Sequence, residues 1–283
     1  MNIFIISSGF TDSWVDEFIS KANGAGFNFL DTRINTSLNK SDFESERPDF
    51  LLCNLLNAAD AFAPAPWMVV SDDPGNGVSF FERNGLSLKE AIQRTASEHA
   101  ASSLLSSLGA PCFDVRKDII YLDGFESFTF EPKRNDEPNQ SCDVLSMYVP
   151  GFAGETIWPL SLFETDSSAQ RLNNSVAFDL TGRSRWLIHG PHIDLPPGYW
   201  EVHAKIFVDP FGSQANLVVD WGVGGVDIVS WSGVIKKRGW YDVKLRKEWS
   251  NIGAAQFRIL THPAFEGKVV FAGCYIRSSP NSK

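Results

Sequence analysis

Two hydrophobic rhythms divide the chain. In the first, blocks of consecutive apolar residues, at Ile3 to Ile6, Phe27 to Leu30, Phe50 to Leu55 and Trp67 to Val70, alternate with stretches of helical period. A strand that is apolar on both faces is buried on both, so this order predicts βαβ units and a mostly parallel sheet. Asp12 to Ala22 is the first expected helix. The clearest begins after Ser87, where Leu88, Ala91, Ile92, Thr95, Ala96 and His99 recur at three- and four-residue spacing until Gly109-Ala110-Pro111. After the turn cluster Ser71-Asp72-Asp73-Pro74-Gly75, Val78 to Phe81 reads as another short strand. Ile119 to Leu122 and Phe125 to Phe130 read as strands around an Asp123-Gly124 turn.

The second rhythm has a period of two. In Trp200 to Val208, the residues Trp200, Val202, Ala204, Ile206 and Val208 share one face, and Glu201, His203 and Lys205 the other. The pattern returns in Tyr241 to Trp249 and in Gln256 to Thr261, while Val269-Val270-Phe271-Ala272 is apolar on both sides and predicts a central strand. Turn residues recur every eight to twelve positions, the pattern of an antiparallel β-sandwich. A polar stretch with no apolar period lies between the halves. The expected organisation is a small α/β domain over 1–132, a linker over 133–143 and a sandwich over 144–283.

Composition narrows the partners. A length of 283 residues suits two cores, and a net charge of -9 repels phosphate backbones and anionic lipid, so no nucleic acid is expected. No run has the length of a membrane span. The start, Met1 to Ile6, is too short and lacks the basic residues of a signal peptide, so a cytoplasmic location is expected. Cys53, Cys112, Cys142 and Cys274 form no C-x-x-C pair and read as isolated thiols of a reducing compartment.

The first predicted strand ends in Ser7-Ser8-Gly9-Phe10-Thr11-Asp12, where open α/β folds bind phosphate on backbone amides. Neither G-x-G-x-x-G nor G-x-x-x-x-G-K is present, so no cofactor is expected. Ser8 and Thr11 are candidates for a nucleotide edge; the competing reading is that Asp12 or Thr11 caps the next helix. Asp72 and Asp73 follow a buried strand and have the chemistry to hold a divalent ion or act as base. The competing reading is a solvated Asp-Pro-Gly turn. His99, on the apolar stripe, reads as a half-buried core residue.

In the second half, His189-Gly-Pro-His192-Ile-Asp194 has the residue types of a metal site, but a Gly-Pro bend separates the histidines and the sequence supplies no third ligand. No metal is expected; Arg185, His189 and His192 read as the polar edge of a binding surface. Seven of the nine tryptophans follow Pro150, namely Trp158, Trp186, Trp200, Trp221, Trp231, Trp240 and Trp249, more than the core of a small sandwich needs. Sugars present C–H patches that stack on flat aromatic faces, so a Trp surplus points to a saccharide ligand. Trp200 shares a face with Val202 and Ile206 and is read as core. Trp231 and Trp240 flank the basic turn Lys236-Lys237-Arg238 and are read as exposed.

The segment from Phe178 through Thr181-Gly182-Arg183-Ser184-Arg185-Trp186 and His189-Gly190-Pro191-His192 to Pro196-Pro197-Gly198-Tyr199-Trp200 resembles β-sandwich modules appended to bacterial proteins of surface-polysaccharide assembly. These modules are similar to carbohydrate-binding modules in their jelly-roll form. The resemblance covers about the last 110 residues and implies glycan recognition, without a residue-level motif. The first half matches no family motif and is Rossmann-like in outline only. The expected fold is a small Rossmann-like, mostly parallel α/β domain followed by an antiparallel jelly-roll β-sandwich. The leading reading is a carbohydrate-binding accessory protein. Two others stay open: a sugar-nucleotide-dependent transferase or related α/β enzyme using Ser8, Thr11, Asp72 and Asp73, and an assembly module whose tryptophans are buried against another copy or another protein.

Overall fold

The computed structural model describes residues 1–33, 48–54, 66–122, 128–132, 142–225 and 227–278. The chain divides into two units, Met1–Cys142 and Asp143–Lys283. Most of the expected 133–143 linker, and the Asp123-Gly124 turn, lie outside the described residues.

The first unit holds a five-stranded parallel sheet made of β1 (Asn2–Ile5), β2 (Phe29–Asp31), β3 (Phe50–Cys53), β4 (Trp67–Ser71) and β5 (Cys112–Asp114). Their spatial order is β2-β3-β1-β4-β5. Strands β1 and β3 are buried at every position, which is why they read as unbroken apolar runs. Among the described residues three helices accompany the sheet: α1 (Gly9–Ala25), α2 (Pro74–Arg83) and α3 (Leu88–Ser107). Ile3 and Ile5 pack with Trp14, Val15 and Phe18 of α1. A hairpin of β6 (Ile120–Tyr121) and β7 (Thr129–Phe130) adds Phe130, whose ring centroid lies 4.9 Å from that of Trp14.

The helix starts follow from local chemistry. Ser8 caps α1, accepting from the Thr11 N–H, while Thr11 returns the bond to the Ser8 backbone. Ser87 and Glu90 do the same for α3. The expected strand at Val78 to Phe81 is instead part of α2. A four-residue apolar block does not distinguish strand from helix, and here the flanks decide. Asp73 accepts from the Gly75 N–H as N-cap and Pro74 occupies the first turn, so what reads as a solvated turn is a helix start.

The second unit is a sandwich of two antiparallel sheets. Its strands are β8 (Thr156–Pro159), β9 (Glu164–Thr165), β10 (Gln170–Leu172), β11 (Ser175–Asp179), β12 (Arg185–His189), β13 (Pro191–Leu195), β14 (Gly198–Asp209), β15 (Ala215–Val223), β16 (Asp227–Ile235), β17 (Gly239–Trp249), β18 (Gly253–Thr261) and β19 (Lys268–Ser278). One sheet runs β10-β11-β19-β14-β17 with β8 beside β19, and the other β16-β15-β18-β12-β9 with β13 beside β18. The two-residue period holds: Trp200, Val202, Ala204, Ile206 and Val208 are all buried. Strand β19 is central, between β11 and β14, as its two-sided apolar run predicts.

The sheets meet through rings. Trp158 of β8 and Trp221 of β15 lie 5.9 Å apart between centroids, Trp249 lies 5.1 Å from Trp221, and Phe257 stacks on Phe271 at 5.7 Å. Burying one indole removes about 200 Å² from water, on the order of 5 kcal/mol of transfer free energy. These rings are therefore the largest single contributions to the sandwich core.

Candidate functional site

Polar groups collect where the strands of the parallel sheet end. Ser7, just past β1, donates its N–H to Glu98 Oε2 at 2.7 Å and its hydroxyl to Oε1 at 3.0 Å. Asn54, just past β3, donates to Ser7 Oγ at 3.3 Å. Glu98 is 1 % exposed, and burial lifts its carboxyl to about 7 against the opposing pull of Ser7 and of Arg94, whose Nε is 3.3 Å away. Next to it His99 is also buried, and burial alone lowers its imidazole to about 3. It is sealed more fully than the half-buried position its stripe predicts.

The four residues proposed for a nucleotide edge are at this edge, with local partners. Ser8 and Thr11 are bound to each other in the cap of α1, and Asp73 caps α2. Asp12 pairs with Arg33 at 3.2 Å and is not the cap. Asp72 is 6 % exposed; burial raises its carboxyl, opposed by bonds from Ser8, Asn76 and the Asp73 N–H. Its Oδ1 orders the start of α2 by accepting from Asn76 and the Asp73 N–H.

In the sandwich the seven tryptophans separate cleanly. Trp158, Trp200, Trp221 and Trp249 are at most 5 % exposed, whereas Trp186 and Trp231 are each 38 % and Trp240 is 63 % exposed. All three exposed rings stand on strands. On β12, Trp186 has the Arg258 guanidinium over its ring at 4.7 Å. Arg258 is held in turn by Asp220 at 2.9 Å, and Asp220 accepts from the Ser230 hydroxyl at 2.6 Å. Asp220, Ser230 and Arg258 occupy aligned positions on neighbouring strands, so they share the outer face of one sheet. The result is an exposed indole with a guanidinium over its ring, fixed there by the buried Asp220.

Trp231, on the edge strand β16, lies against its own backbone: a Cβ built on Gly233 would stand 2.4 Å from its ring. Trp240 belongs to the other sheet, where it meets Phe207 edge-on at 5.4 Å, and Arg238 sits over Phe207 at 5.5 Å. The basic turn thus joins two exposed rings that belong to different sheets. Arg185 is tied inward, to Asp166 at 3.3 Å and to the carbonyls of Thr181, Arg183 and Asp179. An open cleft of about 250 Å³ lies beside it, lined by Gln170, Asp179, Thr181, Phe211 and Lys268.

His189 and His192 come together, and a residue the sequence reading did not consider joins them. Glu164 on β9 is the cross-strand partner of His189, with Oε2 3.2 Å from Nε2. The missing signal was the pairing itself, since 25 positions of chain separate the two. Trp186 likewise lacks a local signal: the buried pair Leu187-Ile188 after it breaks the alternation at a register shift, and the indole is turned outward.

No protein-family model and no curated protein matches the chain. Several solved carbohydrate-binding modules are similar to part of it. The module TmCBM61, solved with β-1,4-galactotriose, is 11% identical with a TM-score of 0.32, over 48% of this chain and 92% of that one. The CBM22-1 xylan-binding domain of Paenibacillus barcinonensis Xyn10C is 12% identical at a TM-score of 0.28, over 43% and 85%. The CBM36-1 domain of a multidomain xylanase from the hindgut metagenome of Trinervitermes trinervoides is 14% identical at a TM-score of 0.30, over 44% and 98%.

Proposed function

We propose that the C-terminal sandwich binds a saccharide on its outer surface, through indole rings held by strands. The observation that supports this reading is the exposed Trp186 ring with the Arg258 guanidinium, clamped by the buried Asp220, held against it. A sugar ring offers an apolar C–H face and a rim of hydroxyls, each both donor and acceptor. A flat aromatic beside fixed charged groups answers both features at once. Trp231 and Trp240 offer exposed rings elsewhere on the sandwich, on either side of the β16–β17 connection. The resemblance of the 178–200 segment to modules of bacterial surface-polysaccharide proteins makes a long surface glycan the ligand class to test first, with the protein acting as an accessory that positions it.

The test is a glycan array on the full chain, followed by calorimetric titration of the best ligand against Trp186→Ala, Trp231→Ala and Trp240→Ala. We expect Trp186→Ala to weaken binding about tenfold, equivalent to about 1.4 kcal/mol, with unchanged thermal stability. An array with no saccharide bound, or affinities untouched in all three variants, overturns the reading.

A further inference from the structure

We propose that Glu164, His189 and His192 form a binding site for one first-row transition-metal ion of the zinc class, with a fourth coordination position left to solvent or a ligand. The site rests on geometry the strand pairing imposes. Glu164 and His189 are direct neighbours across the β9–β12 ladder, and such neighbours on one face bring their Cβ atoms within about 5 Å. The chain then bends at Gly190-Pro191, and His192 takes a left-handed φ of 64°. That bend sends the second imidazole back toward the first, so the two ring centroids lie 6.1 Å apart at an interplanar angle of 83°.

One ligand atom from each of the three residues falls within 4.8 Å of the others. Zinc takes nitrogen and oxygen ligands at about 2.0–2.2 Å, which sets the edges of its tetrahedron at about 3.4 Å. Side-chain torsions close that difference without moving the strands. Two imidazoles and one carboxylate are a donor set that suits zinc, copper or nickel and does not suit calcium or magnesium, which require shells made of oxygen. The His189 side chain is 39% exposed and that of Glu164 52%, so an ion reaches the site directly from solvent.

Co²⁺ is the probe, because a four-coordinate ion absorbs visibly and Zn²⁺ is silent. The full chain is titrated with Co²⁺, then with Zn²⁺ as competitor, alongside Glu164→Gln, His189→Ala, His192→Ala and a Cys112→Ser/Cys142→Ser double variant. The last is needed because Cys112 is exposed and Cys142 partly so. We expect one Co²⁺ per chain, displaced by Zn²⁺ and by no excess of Ca²⁺. Affinity should fall at least tenfold in each of the three site variants and stay unchanged in the cysteine variant. Thermal melts of the apo variants that match the parent confirm that the fold is intact. A titration without a visible band, a band that survives His189→Ala and His192→Ala, or one lost only in the cysteine variant overturns the site. Saccharide plays no part in the experiment, so its outcome is independent of the reading above.

Discussion

The two units handle charge in opposite ways. The parallel sheet seals ionisable groups inside, with Glu98, His99 and Asp72 each less than a tenth exposed. The sandwich seals indoles inside and sends most charge outward, with Asp220 and Glu201 kept as clamped exceptions, the latter between Arg246 and Arg277 at 3.0 and 2.5 Å. Topology explains the contrast. Parallel strands all end on one edge, so the polar residues that follow them meet there and are roofed by helices. Antiparallel strands separate apolar from polar at every step, which leaves the interior to packing alone. Protons should therefore govern the first unit, and shape the second.

The largest expected effect breaks the packing side of that contrast. Trp221→Ala removes the ring that touches both Trp158 and Trp249 and should cost the sandwich about 3–5 kcal/mol. Hydrogen exchange checks it: amides of β14, β15 and β18 should lose protection while those of β1 and β4 keep theirs.

The next sharpens the proton side. Glu98 titrates at about 7 in the fold against an ordinary 4.5, so the folded chain holds a proton the unfolded chain has released. Stability from this group is full below about 4.5 and falls as pH rises through 7, by about 3 kcal/mol. His99 acts the other way: with its imidazole lowered to about 3 from 6.5, stability is full above 6.5 and falls as pH drops toward 3. Between 4.5 and 6.5 the two slopes oppose each other. Glu98→Gln should remove the larger of the slopes that oppose the histidine in that window, seen as a midpoint of urea unfolding that climbs more with pH than the parent's does.

The smallest effect tests whether Ser8 is structural. Ser8→Ala removes the cap of α1 and should cost about 1 kcal/mol, read from the same urea curves. A far larger loss would mean that the hydroxyl does more for its neighbour Asp72 than for the helix.

Much of the fold was legible in the sequence, because burial on two faces, on one face, or on a stripe leaves different periods. β1, α3 and β14 are clear for that reason. Val78 to Phe81 misled because its period is too short to decide, and the Asp73-Pro74 pair that settles it reads equally as a turn. The site was less legible. Trp231 and Trp240 are exposed as their place beside a basic turn implies, but Trp186 and Glu164 owe their positions to register, which couples residues far apart in the chain and leaves no mark in local spacing. Arg185, read as a surface group, is drawn into carbonyl contacts that no local pattern announces.

The glycine beneath the indole of Trp231 carries a last consequence. Because any side chain at Gly233 would collide with that ring, the indole lies flat on its strand before anything arrives. A guest stacking there meets a ring seated over bare backbone, and a side chain at Gly233 would push the ring off that seat. Affinity at this spot is thus set partly by an atom that is not there, two residues along from the one that makes contact.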